Sequence, residues 1–137
     1  MASLTSTELP TTGWEPDVPV EDTYDLVVAF EMVHDVADPV ELLRTLRRLR
    51  ADGGAVLVVD ERTADTFTAP GDELERFFYG VSLVHCLPVG MADQPSAGTG
   101  TVMRSDTLRH YAMQAGFSSV DVLPIDHMMF RFYRLEG

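Results

Sequence analysis

The hydrophobic residues of this chain form short continuous runs that alternate with segments of helical spacing. The runs at residues 24–31 (YDLVVAFE) and 55–61 (AVLVVDE) are apolar without alternation, which is typical of strands covered on both faces in a parallel sheet. Between them an apolar stripe predicts an amphipathic helix: Leu42, Leu43, Leu46 and Leu49. A strand, a helix and a second strand in this order predict a βαβ unit with parallel strands.

The ends of the first predicted helix carry clear signals. Asp38 is a good N-cap, and Pro39 suits the first helical position. Glu41 follows in the first turn, where a negative charge complements the helix dipole. Gly53 and Gly54 are expected to end the helix and make the turn into the second strand.

The second half of the chain predicts two further helices and two strands. An apolar stripe over residues 72–87 indicates a helix, with Leu74, Phe77, Phe78, Val81 and Leu83 or Val84 on one face. The Gly/Pro-rich segment 87–100 predicts a loop, after which Ser105 caps a helix that ends at Gly116. Residues 120–125 and 128–135 predict two strands so close together that they should pair antiparallel. The predicted fold is therefore α/β, with the order β-α-β-α-(loop)-α-β-β.

Composition narrows the class of protein. The chain has 137 residues, 45% of them hydrophobic, which suits one folded domain. A net charge of −12 disfavours nucleic acid as a partner. The start of the chain lacks the features of a signal peptide and no apolar run suits a membrane helix, so we expect a cytoplasmic protein without membrane contact. The single cysteine, Cys86, is expected to be a buried thiol.

Four segments in this order resemble the second half of a class I S-adenosylmethionine-dependent methyltransferase. They are YDLVVAFEMVHDVADP, LRRLRADGGAVLVVDE, AGFSSVDVLPI and FRFYRL. Residues 78–117 further resemble bacterial small-molecule methyltransferases that carry a winged-helix domain ahead of the catalytic domain. The resemblance implies a partial Rossmann-like sheet made of the family's strands 4-5-7-6, with the last strand antiparallel.

The resemblance covers residues 23–137, and residues 1–22 are predicted to form an extended leader. The glycine-rich cofactor motif of the family, GxGxG, does not occur in the sequence, so whether the chain acts as an enzyme stays open. The chain is expected to be a C-terminal half in which the family's fourth strand, residues 26–30, lies at a sheet edge. An exposed apolar edge strand tends to pair with another strand or to be covered. The expected partners are a second copy of the chain, the leader or a missing N-terminal half.

The same resemblance implies the site residues. Ala29, Phe30 and Glu31 match positions that line S-adenosylmethionine in the family. His34 matches the histidine of the HD pair that serves as general base in small-molecule O-methyltransferases. Asp35 is expected to cap the turn or to set the tautomer of this histidine, and Glu61 to orient it. The alternative for His34 is a turn residue that only stabilises the helix start.

Two hypotheses about function follow. In the first, the chain is a methyltransferase, or the C-terminal part of one, that transfers a methyl group from S-adenosylmethionine to a small molecule. In the second, it is a non-catalytic module derived from a methyltransferase, which dimerises or binds a partner through its sheet edge. No metal site is predicted, because His85, His110 and His127 are scattered over separate elements.

Overall fold

The computed structural model of the protein describes residues 22–137. The strands are β1 (Tyr24–Phe30), β2 (Arg50–Glu61), β3 (Ser119–Val122) and β4 (Phe130–Glu136). The helices are α1 (Pro39–Leu49), α2 (Glu73–Val81), α3 (Leu87–Gly90) and α4 (Ser105–Gln114), and a π-helical turn, Ser82–Cys86, joins α2 to α3. The predicted leader, apart from residue 22, lies outside the described residues.

One four-stranded sheet organises the described part of the chain, with the strand order β1-β2-β4-β3. β1 pairs parallel with β2, whereas β4 pairs antiparallel with both β2 and β3. This confirms the predicted α/β class, the βαβ unit and the closing antiparallel pair. β1 forms an edge of this sheet, as expected.

The hydrophobic core lies between one face of the sheet and the helices α1 and α4. β1 contributes Val27 and Ala29 to it, and β2 contributes Val56 and Val58. Leu42 and Leu43 of α1 and Leu108 of α4 are fully buried in the same cluster. Asp38 caps α1 as predicted, since its carboxylate accepts a hydrogen bond from the backbone N–H of Glu41 at 2.9 Å.

The opposite face of β1 is bare within the described residues, so the prediction that this strand is covered on both faces is wrong there. Val27 and Ala29 are 8% and 1% exposed, but their neighbours Leu26 and Phe30 are 54% and 63% exposed. Successive side chains of a strand point to opposite faces. All the helices that pack on β1 therefore lie on the Val27 side.

The Gly53–Gly54 pair does not end the helix. α1 stops at Leu49 and β2 begins at once, so both glycines lie inside the strand. The pairing of β1 with β2 is irregular here: between Tyr24↔Arg50 and Leu26↔Ala55, β2 advances more residues than β1. Gly53 has a φ of +77°, and a Cβ on Gly54 would lie 2.9 Å from the carbonyl oxygen of Tyr24, so this bulge requires the glycines.

Three other predicted details differ. The helical segment runs on to Gly90 rather than residue 87, and its predicted inward face is mostly exposed: Phe78 is buried, but Phe77, Leu83 and Val84 are not. Ser105 is the first residue of α4 and not its cap, because its hydroxyl group contacts Tyr133, Arg131 and Asp65 instead. β3 ends at Val122, short of the predicted residue 125.

Candidate functional site

The candidate site lies where the parallel strands β1 and β2 both end. The loop between β1 and α1 carries His34 and Asp35, and the last two residues of β2 are Asp60 and Glu61. In open α/β sheets, ligands bind outside the carboxyl ends of the parallel strands. Parallel pairing therefore brings together four ionisable side chains from two segments that are far apart in the sequence.

His34 is the centre of this group, and its side chain is only 2% exposed. Its Nδ1 atom lies 2.7 Å from Oδ1 of Asp60, within hydrogen-bonding distance. The same nitrogen lies 3.1 Å from Oε2 of Glu61. On the other side of the ring, Nε2 lies 3.1 Å from Oδ1 of Asp35. We call His34, Asp35, Asp60 and Glu61 the His34 cluster.

The carboxylates of the His34 cluster are not fully satisfied. Asp35 Oδ1, Asp60 Oδ2 and Glu61 Oε2 are buried and accept no hydrogen bond among the described residues. Every ion pair that these carboxylates form within residues 22–137 involves His34. The cluster therefore holds three acidic groups against one imidazole, at a position where an unpaired charge is costly.

This environment raises the pKa values of His34 and Glu61, so both groups retain their protons to higher pH. Burial opposes protonation of His34, but the hydrogen bond to Asp60 and the charges of Asp60, Glu61 and Asp35 outweigh it and raise the pKa of His34 to about 9. Burial, reinforced by the adjacent Asp60, also raises the pKa of Glu61 well above its ordinary value. His34 is therefore protonated at neutral pH, and Glu61 tends to keep its proton.

The loop after α3 contacts the backbone of the site. The backbone N–H of Gly100 donates a hydrogen bond to the carbonyl oxygen of His34 at 3.1 Å. Gly100 has a φ of +69°, and a Cβ there would overlap the hydroxyl oxygen of Ser82. Ser82 begins the π-helical turn and accepts a hydrogen bond from the backbone N–H of Thr101 at 3.1 Å. The π-helical turn and this loop thus hold the backbone of His34 in place.

The structure brings three predicted site residues together and separates the others. His34, Asp35 and Glu61 meet in the cluster. Ala29 is buried on the core side of β1, so its side chain cannot line a ligand on the exposed side. Phe30 and Glu31 are exposed at the end of β1, and Glu31 has a φ of +47°.

Asp60 was missed from the sequence. It, and not Glu61, makes the hydrogen bond to the ring nitrogen of His34. The position of Asp60 in the strand could have indicated this, because residues 56, 58 and 60 share a face and Val56 and Val58 face α1. The run 55–61 shows no alternation, so the sequence did not reveal which face was which.

Comparison with known proteins identifies the family of the chain. The sequence matches the family model described as a methyltransferase domain over residues 8–122. The chain therefore belongs to the methyltransferase-domain family, which confirms the resemblance found in the sequence. None of the curated proteins matches the sequence significantly.

Several solved structures share the fold. PigF, solved with SAH (S-adenosylhomocysteine), superposes with a TM-score of 0.61 at 22% identity over 89% of this chain. TnmH gives a TM-score of 0.63 at 21% identity over 91% of this chain. An O-methyltransferase family protein from Burkholderia thailandensis gives 0.56 at 16% identity over 85%.

This chain spans only part of those proteins: 32% of PigF, 34% of TnmH and 31% of the Burkholderia protein. Within residues 22–137, no helix is long and apolar enough to cross a membrane.

Proposed function

We propose that this chain is an S-adenosylmethionine-dependent methyltransferase, or the C-terminal part of one, that methylates a small molecule with His34 as general base. The observation that carries the proposal is the His34 cluster at the carboxyl ends of β1 and β2, in a chain of the methyltransferase-domain family. The structural neighbours include one solved with SAH, the product left after methyl transfer.

The geometry of His34 suits proton transfer. Its Nδ1 atom is engaged by Asp60 at 2.7 Å, which fixes the orientation of the ring and leaves Nε2 as the atom that exchanges a proton. Imidazole is the side chain best suited to this exchange near neutral pH. When a hydroxyl group attacks the methyl group, the new O–C bond would form as the bond from sulfur to the methyl carbon breaks. The hydroxyl proton would pass to Nε2 of His34 in molecules whose ring is neutral, a fraction that grows as the pH rises toward about 9.

Asp35 controls access to that atom. Its Oδ1 lies 3.1 Å from Nε2, and its side chain is 28% exposed, so it is the part of the cluster that faces solvent. An acceptor hydroxyl group must displace Asp35 or lie beside it to reach Nε2.

The cofactor, when bound, supplies the methyl group on a sulfonium centre. Phe30 offers an exposed ring to an adenosyl group, and Glu31 offers a carboxylate beside it. Ala29 contributes backbone only, because its side chain faces the core. These residues suit one wall of a cofactor site.

A two-stage experiment tests this proposal. The thermal unfolding of the 137-residue chain is first measured with S-adenosylmethionine and with S-adenosylhomocysteine. Ligand at 100 times its dissociation constant stabilises a protein by about 2.7 kcal/mol. Transfer of a labelled methyl group to a panel of small phenols is then measured for the wild type and for His34→Gln.

We expect His34→Gln to lower turnover by about 10²–10⁴-fold, the usual contribution of a general base, with little change in cofactor affinity. Equal losses of turnover and of cofactor affinity would instead favour a structural role for His34. A chain that neither binds the cofactor at millimolar concentration nor transfers a methyl group would leave only the second candidate.

The second candidate is a partner-binding module. The exposed edge of β1 favours it, together with the apolar side chains on its bare face: Tyr24, Leu26, Val28 and Phe30. A free apolar edge invites pairing with another strand. The partner would be a second copy of the chain or the N-terminal half of a methyltransferase domain.

Light scattering after size-exclusion chromatography separates these partners. A dimer that Val28→Lys converts to a monomer indicates a second copy on β1. Alternatively, the chain is a monomer that gains mass only when a separately expressed N-terminal half from a related methyltransferase is added. This result indicates that the partner is an N-terminal half. A monomer that never gains mass would rule out this candidate.

A further inference from the structure

The His34 cluster contains a set of side chains that is suited to a metal ion, which no feature of the sequence predicted. One ligand atom each from His34, Asp60 and Glu61 lies within 4.8 Å of the other two, and all three residues are buried. The distances from Nδ1 of His34 are 2.7 Å to Asp60 and 3.1 Å to Glu61. Ligand atoms around a tetrahedral ion of zinc size are separated by about 3 Å or somewhat more, given zinc–ligand bonds near 2 Å.

The hydrogen bonds that His34 can donate do not by themselves account for this arrangement. A ring nitrogen carries at most one proton, and the short contact assigns the proton on Nδ1 to Asp60. Glu61 Oε2 faces the same nitrogen and accepts no hydrogen bond from any described residue, although its side chain is only 8% exposed. Oδ2 of Asp60 is also buried and has no hydrogen-bond partner within residues 22–137, on a side chain that is 1% exposed.

The charge of the cluster is the second argument. Three carboxylates surround one imidazole, and their ion pairs within residues 22–137 all involve that imidazole. The excess negative charge must be balanced by protons or by a cation. A divalent cation would bind the unpartnered oxygens and neutralise the charge at once.

The geometry points to a binding site for a divalent cation of the zinc class formed by Nδ1 of His34, a carboxylate oxygen of Asp60 and a carboxylate oxygen of Glu61. One imidazole and two carboxylates, all on buried residues, suit zinc better than magnesium, because magnesium prefers oxygen ligands and retains several waters. Three protein ligands leave a fourth position open. The ion would reach the cluster past Asp35, whose side chain is 28% exposed.

Cation binding has a consequence for the proposed base. An imidazole that binds a metal through Nδ1 carries its proton on Nε2 and cannot accept another there. The ion would therefore compete with proton transfer, so the inference goes beyond the proposed function. Whether the site exists can be tested without any methyl transfer.

Zinc itself is the probe for the first experiment. The 137-residue chain is freed of metal with a chelator and titrated with Zn²⁺ by calorimetry. Histidine ring nitrogens labelled with ¹⁵N are then followed by NMR during the titration. We expect one saturable equivalent, with the largest shift at Nδ1 of His34.

Variants identify the ligands. Glu61→Gln and Asp60→Asn should each weaken zinc binding by at least the roughly tenfold that loss of an outer-shell partner costs. Asp121→Asn, at an exposed position in β3, is the matched control and should bind as the wild type does. If a cluster variant fails to fold, the NMR titration of the unmutated chain decides the matter.

Three results would overturn the inference. The first is the absence of saturable uptake. The second is a ring shift confined to His85, His110 or His127, which would indicate adventitious surface binding. The third is unchanged affinity in folded Glu61→Gln and Asp60→Asn chains.

Discussion

The Nδ1 atom of His34 lies 2.7 Å from Oδ1 of Asp60, although 26 positions separate the two residues in the chain. Both side chains are at least 98% buried, since they are 2% and 1% exposed. The contact joins the end of β2 to the loop that follows β1, the two segments that parallel pairing brings together. It fixes the imidazole at the carboxyl ends of the parallel strands, where open α/β sheets bind ligands, and it makes Asp60 the main partner of the ring.

Asp60 and Glu61 should differ in their effect on His34. Only Asp60 is hydrogen-bonded to the ring, and this bond is the strongest influence that raises the pKa of His34. We expect Asp60→Asn to lower the pKa of His34 more than Glu61→Gln does. Titration of the His34 ring by NMR measures both changes. A larger effect of Glu61→Gln would assign the orienting role to Glu61, as the sequence suggested.

The stability of the chain should fall as the pH rises from 6.5 to 9. Because the folded-state pKa of His34 is raised from 6.5 to about 9, its stabilising contribution is complete below pH 6.5 and is lost as the pH passes about 9. The raised pKa of Glu61 also lowers the free energy of unfolding as the pH rises. The free energy of unfolding should decrease by up to about 3 kcal/mol over this range, at about 1.4 kcal/mol per pKa unit.

Urea unfolding at a series of pH values measures this decrease. His34→Gln is the matched variant, because glutamine keeps a polar side chain of similar size but does not titrate. Its stability curve should be flatter than that of the wild type between pH 6.5 and 9. Parallel curves for the two proteins would show that His34 does not retain its proton in the folded state.

Gly100 should be intolerant of a side chain. It has a φ of +69°, and a Cβ there would overlap Ser82, while its N–H bonds the carbonyl oxygen of His34. We expect Gly100→Ala to destabilise the chain by about 1–3 kcal/mol. Gly80→Ala in α2 is the control, because a Cβ there meets no atom within 4 Å and alanine favours a helix by about 0.5–1 kcal/mol. Urea unfolding of both variants checks the difference, and similar losses would argue against the close approach of Gly100 to Ser82.

Two neighbouring residues of β1 test whether its outer face is bare in solution. Val27 is 8% exposed and Leu26 is 54% exposed. We expect Val27→Ala to cost about 1–3 kcal/mol, which is the range for large-to-small changes in a core. Leu26→Ala should change stability by no more than about 0.5 kcal/mol, as for most surface changes. An equal loss for Leu26→Ala would mean that another part of the chain or another molecule covers this face.

Local sequence signals predicted the elements of this protein and part of their assembly. The apolar stripe and cap of α1 depend on neighbours within a few residues, and both were confirmed. The antiparallel pairing of β3 with β4 was also predictable, because a short connection leaves few alternatives. The likeness to methyltransferases gave the order of the strands.

Several features required knowledge of distant contacts. Continuous apolar runs such as that of β1 hide which face a helix covers, so the bare side of the strand was predicted to be buried. The glycine pair at the end of α1 was predicted to stop a helix, but the backbone of Tyr24 approaches so closely that the pair forms a bulge within β2. Ser105 was predicted to cap α4, but its hydroxyl group has partners on other elements.

The sequence by itself determined the strands and helices, the family and the identity of His34, Asp35 and Glu61 as candidate site residues, because these depend on local patterns and on motifs. The tertiary structure alone decided that Asp60 holds the ring of His34 and that three carboxylates share one imidazole. It also decided that two carboxylate oxygens on β2 lack a hydrogen-bond partner in the part of the chain that the structure describes. Parallel pairing of β1 with β2 is the physical reason, since it places the ends of two strands side by side and buries charges that the sequence keeps far apart.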